Sequence, residues 1–197
     1  MIKLTYFEGV TDRKGRSLSW QALWDFMHGQ RMKWDIEAIR NGDESRKRSL
    51  PAVTWQANYD GTRQDNNAQA TGLFMLDVDH ISHWQNFDPS VTQAENTALA
   101  LYEKYVKGRE DELDIVLYHR SPSGDGAHIV ALCQPQWQDM QVAGFSPRKG
   151  IDLANNQAWL AAALGIQYDT VCHDWARLGF LSVAEDFYYI DKETLFG

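Results

Sequence analysis

The sequence predicts an α/β or α+β protein in which a mixed sheet is packed by helices. Three observations lead there. The apolar run Leu73 to Leu76, continued by Asp77-Val78-Asp79, reads as a strand bounded by Thr71-Gly72. A helical pattern follows over about Thr92 to Val106, carrying Ala98, Leu101, Tyr102 and Tyr105 on one face. A second strand follows at Asp114 to His119. Strand, helix and strand in so short a stretch make a βαβ unit, which predicts parallel pairing and a right-handed crossover.

The remaining elements follow in chain order. Ile2 to Phe7 alternates and predicts a short strand. Ser17 or Ser19 can cap a helix with Trp20, Leu23, Trp24 and Met27 on one face, interrupted by Gly29. A second helix over about Met32 to Arg40 stops at Asn41-Gly42. The basic run Arg46-Lys47-Arg48 precedes Leu50-Pro51-Ala52, a strand over Val53 to Asn58, and a polar loop from Tyr59 to Ala70. After the βαβ unit, the turn Ser121 to Gly126 leads into a strand over Ala127 to Cys133, making a hairpin. A helix over Ile151 to Leu164 ends at Gly165, and strands follow near Leu178 to Val183 and Phe187 to Ile190. Trp20, Trp24 and Trp34 fall on helices and are assigned to the core.

The chain has 197 residues, suiting one domain, and 44% hydrophobic residues, which argues against wholesale disorder. No apolar run approaches the roughly 20 residues that span a bilayer, so no membrane role is expected. The start, Met1-Ile2-Lys3-Leu4, lacks the pattern of a signal peptide. The two cysteines, Cys133 and Cys172, make neither a disulfide scaffold nor a CxxC pair, so a reducing, cytoplasmic setting is expected. Lys and Arg number 19 against 27 Asp and Glu, a formal charge of -8. That balance argues against simple coating of nucleic acid, but leaves room for a site whose cations are not encoded in the chain.

Three local patterns carry chemistry. Asp77 and Asp79 lie on one strand face with Cα atoms about 6.6 Å apart. Two charges at about 4 Å repel by about 4 kcal/mol at an effective dielectric near 20, and a divalent cation is the usual compensation. A solvated polar turn is the plain alternative. Ser123, Gly124 and Gly126 form a turn whose backbone can approach a phosphate, and His128 follows on the outgoing strand. An ordinary hairpin is the alternative there. Asp169 can supply a third carboxylate and Arg177 a bidentate phosphate contact, or both can serve a local turn with Asp174.

Taken in order, the Asp-x-Asp strand, the Ser-Gly-x-Gly-x-His hairpin and the late Asp followed by Arg resemble the archaeo-eukaryotic primase superfamily. The nearest likeness is its primase-polymerase branch with VirE N-terminal-like domains. Arg46 to Ala52 is similar to that branch's basic-Leu-Pro-Ala segment, and Arg177 to Ser182 to its Arg-hydrophobic-Ser strand. The resemblance spans roughly Arg46 to Tyr189. It implies an RRM-like core over residues 61–197 and a small N-terminal α/β unit over residues 1–60. It also implies template-directed nucleotidyl transfer, as DNA primase and polymerase in replication of a phage or mobile element. By it, Asp77, Asp79 and Asp169 hold two Mg²⁺ or Mn²⁺ ions, with Asp174 and Asp186 as alternatives for the third ligand. His128 touches the triphosphate, Ser123, Gly124 and Gly126 shape its pocket, and Arg177, Arg120 and Lys47 are phosphate contacts. The implied partners are nucleoside triphosphates, single-stranded or primed DNA, and a helicase. Few basic residues face the backbone, so template affinity is expected to be weak and to fall steeply with salt.

Two other classes compete. A metal-dependent nuclease or replication initiator needs histidines or a Tyr nucleophile beside the acids, for which His80 and His83 are candidates. A non-catalytic RRM-type binding module needs exposed aromatics on its sheet, and Leu73 to Leu76 offers one Phe.

Overall fold

The computed structural model describes residues 2–59, 61–134 and 151–197. It is an α+β fold built on two four-stranded sheets. The chain begins with β1 (Thr5–Phe7) and β2 (Arg16–Ser17), then α1 (Trp20–His28) and α2 (Gln30–Arg40). Ser19 caps α1, its Oγ accepting from the Ala22 N–H at 3.1 Å. α2 stops at Asn41, and Gly42 follows at φ +102°. The basic run lies in a 3-10 segment, Glu44–Ser49.

The expected strand over Val53 to Asn58 is two strands, β3 (Ala52–Thr54) and β4 (Ala57–Tyr59). They part company: β3 joins the first sheet, while β4 pairs with β5 (Ala68–Ala70) at the end of the predicted polar loop. β6 (Leu73–Asp79) has the expected bounds. The long helix expected after it is broken into α3 (Pro89–Thr92) and α4 (Thr97–Leu101), which runs on as a π-helical turn, Tyr102–Val106. Asp88 and Asn96 each supply an N-cap, so the break comes from a second capping residue inside the apolar pattern. β7 (Ile115–Arg120), β8 (Gly126–Leu132) and α5 (Leu153–Leu164, capped by Asp152) follow. β9 (Gly179–Phe180), β10 (Phe187–Ile190) and α6 (Lys192–Phe196) complete the described chain.

The second sheet has the order β10-β7-β8-β6, with every pairing antiparallel. The expected parallel pairing of β6 with β7 does not occur. The two strands do run in the same direction, but β8 sits between them, making a split βαβ unit. The strand–helix–strand order predicted the shared direction of the two strands but not the strand between them, and β6 is apolar along most of its length on both faces. It is apolar because the sheet is covered on both sides. Phe74, Leu76 and Val78 pack with α4 and α5, whereas Leu73 and Met75 pack with the N-terminal helices and Trp55.

The first sheet, β2-β1-β3-β9, draws its last strand from near the C-terminus, so the N-terminal unit is completed by residues after 178. Gly179 is needed there: a Cβ would lie 2.7 Å from Met75 Sδ and 2.9 Å from Trp55 Nε1. Trp24 and Trp34 are not core residues. They are 45% and 65% exposed, and the core-facing side of these helices is filled by Leu23, Met27, Met32, Ile36 and Ile39. Trp24 instead stacks on His28. Among the described residues no helix is long and apolar enough to cross a membrane.

β6 is an edge strand, so its outward carbonyls need partners from outside the sheet. Gln157, 3% exposed on α5, donates from Nε2 to Met75 O at 2.8 Å and to Cys172 O at 2.9 Å. Replacing it as Gln157→Leu keeps the bulk but strips both carbonyls of their donor. Urea unfolding is expected to show a loss of about 2–4 kcal/mol; an unchanged midpoint would contradict this role.

Candidate functional site

The site is built outward from the end of β6. Asp77 lies opposite His128 in the β6–β8 register, His128 opposite His119 in β8–β7, and His119 opposite Phe187 in β7–β10. These four side chains form one row across the sheet. His128 Nε2 is 3.5 Å from Asp77 Oδ1, and His128 Nδ1 is 3.2 Å from His119 Nε2. His119 stacks on Phe187 with 4.5 Å between ring centroids. The two histidines are 5% and 0% exposed. Burial pulls His128 down to about 3, helped by the charge of Lys47. Burial pulls His119 down to about 3, helped by His128. Both rings are therefore neutral at pH 7, and the His128–Asp77 contact is not an ion pair.

The third carboxylate arrives from far along the chain. The Asp169 N–H donates to Asp77 O at 2.9 Å, on the open edge of β6. The same segment turns back so that Cys172 Sγ lies 2.7 Å from Asp169 Oδ2 and 3.6 Å from Asp77 Oδ2. One donor atom from each of Asp77, Asp169 and Cys172 falls within 4.8 Å of the others. This irregular loop is held from beneath by two buried glutamines. Gln157 bonds the Cys172 carbonyl, and Gln56 Nε2 faces the carbonyls of Asp174, Trp175 and Arg177 at 3.0–3.2 Å. Tyr59 Oη donates to Trp175 O at 2.6 Å, and Arg63 Nη1 to Ala176 O at 2.9 Å.

Burial pushes the Asp77 carboxyl above its ordinary range, Asp169 adding to the rise, while the Cys172 thiol, Arg177 and Lys47 oppose it. Asp79 is also raised, by burial and then by Asp77. Asp169 is lowered, because the Cys172 thiol donates to it. Burial, the bond to Asp169 and the charge of Asp77 together push the thiol well up. The cluster thus joins two acids raised by burial, Asp77 and Asp79, to a more open third, Asp169, with two cations at its rim. Within the basic run Lys47 alone is half-buried, its Nζ 5.7 Å from the Phe180 ring centroid, while Arg46 pairs outward with Asp35 and Asp43.

The other expected residues are distributed around this centre. Asp79 lies opposite Gly126, whose absent Cβ is required: it would sit 2.4 Å from Val78 O and 3.3 Å from Asp79 Oδ1. Gly124 adopts φ +92°, and its N–H is used within the turn, on Ser121 O at 3.0 Å. Ser123 is exposed, with its Oγ 3.0 Å from Ser121 Oγ. Arg120 turns to the Gly124 carbonyl at 2.7 Å. Arg177 lies 3.1 Å from Asp174 while its charge still reaches Asp77 and Asp169. Of the alternatives for the third carboxylate, Asp174 is taken by Arg177. Asp186 is buried with Ser182 and Arg40, 2.7 Å from the Arg40 guanidinium. His80 and His83 are exposed and stacked on each other. Cys172, His119, Gln56 and Gln157 were not singled out by sequence. A lone Cys and scattered glutamines carry no spacing signal, though His119 and His128 flanking one glycine turn did offer one.

The fold and this cluster define an α+β domain with a carboxylate centre at the end of a sheet strand. The family model described as BT4734-like, N-terminal domain matches residues 45–189, and the chain belongs to that family. The matched stretch runs from the basic segment to β10 and contains every side chain of the cluster. Comparison with curated proteins and with solved structures finds no match.

The buried histidines give the fold a pH dependence. Their folded values lie below the ordinary imidazole value near 6.5, so the unfolded chain binds more protons as pH falls below that point. The histidines' contribution to stability is full above about pH 6.5 and drains away toward pH 3, while the raised carboxyls of Asp77 and Asp79 contribute with the opposite sign. Chemical denaturation at pH 7 and pH 5 is expected to differ by about 2 kcal/mol per histidine. An imidazole of His119 or His128 that protonates near pH 6.5 in an NMR titration of the folded chain would contradict burial of neutral rings.

Proposed function

We propose that this domain is a metal-dependent nucleotidyltransferase of the primase-polymerase type, acting on nucleoside triphosphates and a primed or single-stranded DNA template. The observation that carries the reading is the convergence of Asp77 and Asp169, distant in sequence, through the backbone bond between them, with Asp79 on the same strand face and His128 alongside. The donor set suits divalent cations: converging carboxylates, Asp77 among them desolvated, with no Lys or Arg in ion-pair contact among the described residues. Asp77, Asp79 and Asp169 would hold Mg²⁺ or Mn²⁺, which supply charge for the triphosphate and activation of the attacking hydroxyl.

The chain's own residues have separate tasks in this reading. His128 is neutral and fixed by His119: the His119 Nδ1–H is used on Arg120 O, so the His128 Nδ1–H is used on His119 Nε2, and His128 turns an unprotonated Nε2 toward Asp77, ready to accept a hydrogen bond without adding charge. Lys47 and Arg177 border the acids and neutralise phosphate oxygens that approach from solvent. Gly126 brings the β8 backbone against β6, keeping Asp79 and the glycine turn in register. A cytoplasmic setting in a bacterial or phage-infected cell, and a helicase partner, belong to the same reading.

The covered sheet weighs against a passive RRM-type module, since both faces are occupied by side chains of the protein itself and offer no open platform for bases. The exposed His80 and His83 stack on each other, and neither shares a ligand-distance group with Asp77 and Asp169 among the described residues, although the charge of His80 reaches Asp79.

The test is primer extension with deoxynucleotides in Mn²⁺ and in Mg²⁺. The parent chain is expected to extend the primer. Asp77→Asn and Asp169→Asn are each expected to lose about 100-fold or more, while remaining folded by circular dichroism. Template degradation, or binding without turnover in both metals, would overturn the assignment.

A further inference from the structure

The expected ligands at this centre are all oxygens, yet a sulfur lies among them. Cys172 is buried, and its Sγ is within 2.7 Å of one carboxylate and 3.6 Å of another. Its position is not incidental to a flexible loop. The carbonyl of Cys172 is bonded by Gln157, and its N–H faces Asp169 O at 3.4 Å. Asp77 divides its two oxygens, Oδ2 toward the sulfur and Oδ1 toward His128.

The dimensions suit one ion. Metal–oxygen bonds of about 2.0–2.2 Å and a metal–sulfur bond of about 2.3 Å place tetrahedral ligands roughly 3.5 Å apart. The three donor atoms lie within 4.8 Å of one another; Sγ to Asp77 Oδ2 at 3.6 Å already matches that separation, and Sγ to Asp169 Oδ2 at 2.7 Å has to widen to it on binding. Mg²⁺ demands an octahedron of oxygens and gains nothing from a thiolate, whereas Zn²⁺ and Co²⁺ accept mixed oxygen and sulfur donors.

We propose that Cys172 is a metal ligand, completing with Asp77 and Asp169 a site that selects a borderline-soft divalent ion of the Zn²⁺ or Co²⁺ type over Mg²⁺. The inference rests on the reading of these carboxylates as metal ligands, and adds the identity of the ion they prefer. On binding, the S–H bond breaks, the metal–sulfur bond forms and the proton leaves to solvent, so no oxidant or reductant is involved. The bond from the thiol to Asp169 is then replaced by their shared ion.

Cobalt titration of the full chain, stripped with chelator, tests this directly. A sulfur-to-cobalt charge-transfer band in the near ultraviolet is expected, saturating at one ion per chain. Cys172→Ser is expected to lose the band and to bind Co²⁺ about tenfold or more weakly, with Mg²⁺ affinity little changed. Cys133→Ser, removing the other thiol, is expected to keep the band. Cobalt binding with only the weak bands of oxygen ligation would overturn the role of Cys172 while leaving the carboxylate centre standing. A charge-transfer band that persists in Cys172→Ser would overturn it equally. Absence of cobalt binding by calorimetry would overturn both the inference and the metal reading beneath it. The parent spectrum alone decides the first point, so a poorly folding variant does not shelter the proposal.

Discussion

The open edge of β6 is the constraint on which the site depends. An edge strand in a buried sheet leaves carbonyls that neither water nor a neighbouring strand can satisfy, and each costs free energy if left alone. Here the carbonyl of Met75 is met by the Gln157 side chain and that of Asp77 by the Asp169 N–H. Satisfying the second of these delivers a carboxylate and, three residues on, a thiol to the end of the strand. The bond that closes the sheet edge also assembles the acid cluster.

The sheet explains the chemistry of what is assembled. Because both faces are covered, His128 and His119 in the middle of the row are buried, and Asp77 and Phe187 at its ends are partly so. Burial costs the carboxylate its solvation and holds the imidazoles neutral. The Asp77 carboxylate thus faces the unprotonated Nε2 of His128 and gains no ion pair from it. Such an arrangement is typical of a site prepared for a ligand of opposite charge. The overall charge of -8 therefore says little about this surface, where local burial and the rim cations Lys47 and Arg177 decide what can approach.

Much of the fold was legible, and the reasons for the rest are physical. β6 was readable because an apolar run ends abruptly in two acids, α1 because Ser19 precedes its periodic face, and α2 because Asn41-Gly42 cannot continue a helix. Strand order was not, because a hairpin presents the same alternation whichever side of β7 it joins; only packing placed β8 between β7 and β6. Trp24 misled because its spacing matches that of Leu23 and Met27, while the narrower buried stripe had room for only the latter two. At the site, Asp77, Asp79 and His128 were visible as a strand end and its facing hairpin. Cys172, Gln56 and Gln157 were not, since their roles arise from long-range contacts between residues with no local pattern.

As proposed above, the acids at the end of β6 would form a metal centre. The most direct measurement is a crystal structure of the full chain soaked in Mn²⁺, with anomalous data collected near the manganese edge. An anomalous peak is expected within bonding distance of both the Asp77 and Asp169 carboxylates, with Asp169 still bonded through its backbone to Asp77. A peak only at the exposed His80 and His83, or none anywhere on a chain with the cluster intact, would contradict it.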